Sequence, residues 1–221
     1  VTGVQTCALP ILVNRYDKLI LVQNLRIGGV RKMAKKRNLT KAKILESARN
    51  LAEELGVQQL TFQNLAVDLG IKYPSLYNHF KNIAEVKNAL VDLLIQELND
   101  ALRRALVGKS GAEAIRIYAE TYQQFAFENS AVYELLISVP KTQNQQLIEG
   151  IHETNQIILQ LLAFYPFNNE ERLHKSRELR SLIHGYITLR FLGYFQREEA
   201  TPEESYRRMI EDFIASLEVA G

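Results

Sequence analysis

The sequence predicts an all-α protein, and three observations carry that expectation. From Thr40 onward apolar residues return at helical spacing, beginning with Ile44, Ala48, Leu51 and Leu55. Glycine and proline are sparse, 11 and 5 among 221 residues, so few breaks interrupt long elements. No stretch reads as a convincing strand.

Composition narrows the function classes. With 47% hydrophobic residues the chain buries a real core, and its length fits one large domain or a small domain joined to a larger one. A formal charge of +2 is too small to mark a nucleic-acid binder by itself. The distribution says more: Arg31, Lys32, Lys35, Lys36, Arg37, Lys41 and Lys43 form a basic run with no acid among them. By itself such a run is a solvated tail or a binding arm. Cys7 is the only cysteine, which excludes a disulfide framework and a thiolate metal site and makes a reducing cytoplasm the expected compartment. The apolar stretch from Ile11 to Val22 is broken by Asn14, Arg15, Asp17 and Lys18, so it cannot span a bilayer, and it lacks the layout of a cleavable signal. No membrane partner is expected.

Residues 1–32 read as a non-native extension. They have no period, and Met33 opens a native-like start, MAKKRNLTKAKILESA. Gly28 and Gly29 are encodable by a ribosome-binding sequence at suitable distance upstream, and VTGVQTCALPI resembles translated sequencing-adapter DNA. Fold reasoning therefore starts at Met33.

The helices follow in order. The first begins after Thr40 and closes at Gly56. A short second one is capped by Thr61, carries Leu65, Ala66 and Leu69, and stops at Gly70. The third lies within GIKYPSLYNHFKN, residues 70–82, with Leu76 and Phe80 inward. Asn82 and Glu85 form a capping box for a long fourth helix to about Leu106, with a stripe including Val86, Leu90 and Leu94. Ser110 and Glu113 cap the next, to about Glu128, with Ile115, Tyr118, Tyr122 and Phe125 on one side. Residues 130–139 are short, and Pro140 separates them from a helix through about Phe164. Residues 169–196 form the penultimate helix. The last starts at Thr201-Pro202-Glu203-Glu204, with proline at its first position and a stripe of Tyr206, Met209, Ile210, Phe213 and Leu217.

Ala66, Gly70 and Leu76 have the spacing a helix-turn-helix requires: a small residue where two helices cross, a residue tolerant of positive φ at the turn, and an apolar anchor. Pro74 suits the first turn, where its missing N–H costs little. Tyr77 and His79 then donate to phosphates, Lys72 and Lys81 add charge at either end, and Tyr73, Ser75 and Asn78 reach base edges. The plainer alternative is that Tyr77 and His79 are ordinary half-buried residues.

The stretch from about Leu39 to Leu93 resembles the N-terminal domain of the tetracycline-repressor (TetR) family of bacterial transcription regulators. Its signature stands here as Leu76, Tyr77, Asn78, His79 and Phe80. The resemblance implies that Thr61, Gln63, Tyr73, Pro74, Ser75, Tyr77 and His79 face DNA, and it turns the basic run into a DNA-proximal arm. One departure is Ile83, where many members carry a phosphate-binding lysine that Lys81 or Lys87 must replace. The C-terminal half is similar to a subgroup with a tryptophan-histidine-glycine signature, here Ile183-His184-Gly185.

The expected layout is a helix-turn-helix DNA-binding domain over residues 33–82 and a helical effector-binding and dimerisation domain over 83–221. The implied function is a ligand-responsive regulator, most often a repressor, released from operator DNA by a small molecule. Tyr118, Tyr122, Phe125, His152 and His184 are the candidate effector contacts, although an aromatic stripe at helical spacing is also plain core. So weakly charged a pocket suits an apolar or aromatic ligand. A regulator without an effector is the alternative, and a helical-bundle enzyme a remote one. His79, His152, His174 and His184 are the only histidines and accompany no nucleophile motif, so no catalytic residue, metal ligand or cofactor is expected.

One short recognition helix reads only a few base pairs, each worth about 1–3 kcal/mol of discrimination. A homodimer on a palindrome is therefore expected, with half-sites about 34 Å apart. From Leu182 to Phe195 the penultimate helix is apolar nearly all round, and with the last helix it forms the candidate four-helix contact. Ile187, Phe191, Leu192, Phe195, Ile210 and Phe213 are its candidate contacts, with Gly185 and Gly193 permitting close approach. The alternative is a helix wholly buried in its own monomer.

Overall fold

In the computed structural model, residues 39–138 and 143–219 are described; the 1–32 extension, the basic run as far as Arg37, and Pro140 lie outside them. Among the described residues every regular element is helical. We label the α-helices α1 (Lys41–Leu55), α2 (Phe62–Leu69), α3 (Ile83–Leu106), α4 (Gly111–Glu128), α5 (Ser130–Ile137), α6 (Gln145–Leu162), α7 (Asn169–Phe191) and α8 (Pro202–Val219). Short 3₁₀ helices at Val57–Gln59 and Tyr73–Asn78 complete the N-terminal part.

Local signals explain most boundaries. Gly56 and Gly70 take φ of 89° and 64°, ending α1 and α2 as expected. At Gly70 the left-handed turn is closed by Gly70 N–H donating to the Val67 carbonyl and Ile71 N–H to that of Ala66, at 3.2 and 3.0 Å. Asn82 accepts the Glu85 N–H at 2.9 Å, but the Glu85 carboxylate takes the Lys81 N–H, so the expected capping box is half formed. Ser110 makes no side-chain cap, and the Glu113 carboxylate pairs with Lys109 rather than reaching back to the helix start. The complete capping box is at Asn168 and Glu171, which start α7. Thr201 accepts the Glu204 N–H at 3.2 Å at the start of α8.

The penultimate helix is shorter than expected. It stops at Phe191 because Gly193, with φ of 79°, turns the chain. Gly193 N–H donates to the Arg190 carbonyl and Tyr194 N–H to that of Leu189, a Schellman closure. Phe195 consequently lies beyond the helix, at a positive φ of 64°. The run of apolar residues concealed the stop, since only the glycine marks it.

α3 is the spine. At 1.5 Å per residue its 24 residues span about 36 Å. It packs on α1, where Arg49 and Glu97 form a two-pronged ion pair. It also crosses α6 and α4. The crossing with α6 is close: a Cβ on Gly150 would sit 2.7 Å from Ile95 Cγ2. Buried Asn99 fastens it, donating to the Gly150 carbonyl at 3.1 Å and accepting from Thr154 Oγ1 at 2.7 Å. α5 lies between, packing on α1 and on α3, with Leu135 and Leu136 against Val91, Ile95 and Leu147. On the far side α8 packs on α4 and α7 through the paired Arg116 and Glu211 and the stacked rings of Tyr186 and Tyr206.

Gly150→Val places methyls where Ile95 already stands, and the expected loss is about 1–3 kcal/mol. In an Ile95→Ala background the same change should cost far less. Urea denaturation of the four proteins measures both values; equal penalties in the two backgrounds would show that the crossing is not sterically limited.

Candidate nucleic-acid interface and internal cavity

The N-terminal helices hold the first site. Ser47 on α1 donates to Asp68 on α2 at 2.7 Å, and buried Leu65, Ala66, Leu76 and Phe80 draw the elements together. Pro74 stands in the first turn of the segment that follows, Tyr73–Asn78, which is a 3₁₀ run rather than an α-helix. Leu76 and Phe80 face inward as expected. Thr61, Gln63, Lys72, Tyr73, Pro74, Tyr77, Asn78 and Lys81 are exposed, and Ser75 and His79 are half-buried. None of the ten candidate DNA contacts is withdrawn into the core.

Two tyrosines are prepared as a unit. Buried Phe62 lies edge-on beneath Tyr73 and Tyr77, with centroids 6.0 and 5.2 Å away. The two hydroxyls are 2.9 Å apart, although the rings are 43% and 51% exposed. This hydrogen bond raises the Tyr77 pKa. In the pair one hydroxyl donates to the other, which keeps its own O–H for an outside acceptor. Thr61 uses its side chain as the α2 cap, accepting the Asn64 N–H at 3.1 Å. Lys41, from the basic run, lies 5.3 Å from the Phe80 ring centroid.

A second site is a cavity of about 370 Å³ in the C-terminal bundle. Its walls are Ile95 and Leu98 of α3, Tyr118 and Tyr122 of α4, Leu136 and Ile137 of α5, Ile151, Thr154 and Asn155 of α6, and Arg180, His184 and Thr188 of α7. Three of the five candidate ligand contacts, Tyr118, Tyr122 and His184, therefore meet there. Phe125 does not: it is buried core, one turn beyond Tyr122. His152 is exposed on the outer side of α6, because Ile151 beside it takes the inward position. Arg180 and Asn155 were not anticipated. The signal that could have found Arg180 is its place one helical turn before His184.

His184 is held between two hydroxyls, Tyr133 at 2.8 Å from Nδ1 and Tyr122 at 3.4 Å from Nε2. Burial, helped by the charge of Arg180, lowers its pKa to about 4. Burial raises those of Tyr118, Tyr122 and Tyr133. The pocket is thus uncharged at neutral pH except for Arg180. Among the described residues no group of His, Cys, Asp and Glu is arranged to hold a metal, and no helix is long and apolar enough to cross a membrane.

The expected dimer contacts divide. Phe191, Leu192 and Phe195 are exposed, and so are Leu189 and Tyr194. Ile187, Ile210 and Phe213 are buried within this chain, because the inner face of α7 and the apolar stripe of α8 close onto α4 and onto each other. An added Cβ at Gly185 or Gly193 meets nothing within 4 Å.

The lowered pKa of His184 fixes the sign of a pH effect. Its unfolded form takes up a proton near pH 6.5, whereas the native form resists until about 4. The native state is favoured fully above pH 6.5 and loses that preference as pH falls toward 4, on the order of 1–3 kcal/mol. Urea denaturation between pH 7.5 and 4.5 should show a steeper loss for the wild type than for His184→Gln; parallel curves would refute the assignment.

Comparison with known proteins agrees with this geometry. The sequence model described as bacterial regulatory proteins, tetR family, matches residues 44–90. That described as tetracyclin repressor-like, C-terminal domain, matches residues 115–213. An uncharacterized HTH-type transcriptional regulator of Bacillus subtilis, YobS, is 26% identical over 84% of this chain and 96% of its own. A protein of unknown function from Rhodococcus sp. RHA1 superposes with a TM-score of 0.73 at 19% identity, covering 84% of this chain and 99% of that one. A single-residue variant of TetR from Acinetobacter baumannii AYE, in complex with minocycline, gives 0.63 at 17% identity, covering 83% and 98%. The chain belongs to the TetR family of bacterial regulatory proteins.

Proposed function

We propose that this regulator binds palindromic operator DNA as a homodimer and releases it when a small molecule occupies the C-terminal cavity. The observation that carries the reading is the 3₁₀ segment Tyr73–Asn78, anchored inward by Leu76 and presenting polar side chains outward. Residues 33–82 form its DNA-binding part and 83–221 its effector and dimer part. It acts as a repressor in the cytoplasm, with no catalytic role. Tyr77, His79, Lys72 and Lys81 meet phosphates; Gln63, Tyr73, Ser75 and Asn78 meet bases. Pro74 and Thr61 shape the entry to the two helical segments.

Release has a physical route. Leu136 and Ile137 line the cavity, and the same short helix α5 packs on α1. An occupant that displaces α5 therefore displaces the platform of the DNA-reading segment. A cavity bounded by six apolar or aromatic side chains from α3, α4 and α5 accommodates an organic molecule. That a TetR neighbour of the same fold is in complex with minocycline supports a small-molecule effector. For assembly, Phe191, Leu192, Tyr194 and Phe195 supply an exposed apolar knuckle at the end of α7.

Tyr77→Phe combined with His79→Ala should weaken binding to every duplex about tenfold or more, while a Gln63 substitution should change base preference by about 1–3 kcal/mol at one position. Fluorescence anisotropy with specific and random duplexes distinguishes them; full affinity in the double variant removes the segment from the interface. Leu192 is 68% exposed, so Leu192→Asp should leave the fold intact and yield monomers on sedimentation. An unchanged mass would place the dimer contact elsewhere.

A further inference from the structure

The cavity has an unusual charge balance. Its lining contains no aspartate or glutamate, yet it contains Arg180. Arg180 Nη1 donates to Asn155 Oδ1 at 2.7 Å and Nε to the Ser176 carbonyl at 3.3 Å. A guanidinium has five N–H donors, so one on Nη1 and both on Nη2 have no protein acceptor among the described residues. No carboxylate among the described residues is ion-paired with it, although other arginines of the bundle have such a partner, as Arg103 has Glu153 and Arg116 has Glu211. Tyr118, Tyr122 and His184 are neutral, and the charge of Arg180 acts on all three. Arg180 is half-buried and is the one charged side chain of this lining, so its free N–H edge is left for an outside acceptor.

We propose that the effector is an apolar organic acid whose carboxylate pairs with Arg180 while its hydrocarbon or aromatic body lies against Ile95, Leu98, Leu136 and Ile151. This rests on the effector reading given above. Asn155 and Ser176 hold the guanidinium from one side, so its free edge is already oriented, and a carboxylate takes two parallel N–H bonds from that edge. Thr154, Thr188 and the tyrosine–histidine group supply further polar contacts around the head. A neutral ligand of the same shape leaves the cation unpaired and binds less well. A cationic one, such as a quaternary ammonium, is repelled.

The test compares each acid with its own primary amide. Decanoate, 1-naphthoate and their amides are titrated calorimetrically into the full-length protein, and into Arg180→Gln and Arg180→Lys. At least one acid is expected to bind ten times or more tighter than its amide. Arg180→Gln should abolish that preference while retaining amide affinity, and Arg180→Lys should restore part of it. The wild-type comparison stands even if a variant does not fold. Equal binding of acid and amide to the wild type, or a preference that survives Arg180→Gln, overturns the inference. If amides bind and displace DNA while acids do no better, the effector reading stands and the anion inference falls. If no probe binds, both fall.

Discussion

The close crossing of α3 and α6 is the constraint on which the rest of the structure depends. It is possible because Gly150 has no side chain, and it is fastened by Asn99, whose buried amide reaches across to the opposing backbone and to Thr154. The two helices are held together there, and the cavity opens beside the crossing, with Ile95 and Leu98 on one wall and Ile151, Thr154 and Asn155 on the other. The same α3 carries Glu97, which grips Arg49 of α1. One helix thus sets the width of the cavity and holds the N-terminal helices.

The N-terminal part was legible in the sequence because its signals are local. Thr61 caps and Gly70 turns by backbone rules that need no distant partner, and Leu76, six residues on, is the apolar residue that buries. The C-terminal part was legible only in outline. Tyr118, Tyr122 and His184 reached the cavity, but His152 and Phe125 did not, since helical period gives a face and not what lies opposite it. Arg180 and Asn155 belong to different helices, and nothing in their local sequence says that they meet.

The expected dimer contacts divide for a related reason. An apolar stripe shows that a side chain will be covered without showing by whom. In α8 the stripe of Ile210 and Phe213 is covered by the chain's own bundle, as is Ile187 in α7. The residues left exposed cluster around Gly193, where the left-handed turn ends the helix and splays Tyr194 and Phe195 outward.

α5 is only eight residues long, too short to be a stable helix by itself, and its order comes from what lies on either side. One side is α1 and the other is the chamber. This shared wall makes communication necessarily two-way. Whatever free energy an occupant transfers to the DNA-reading helices through α5, bound DNA must return to the chamber in equal amount. Were an occupant of the chamber to weaken DNA binding through α5, bound DNA would weaken the binding of that occupant by the same factor.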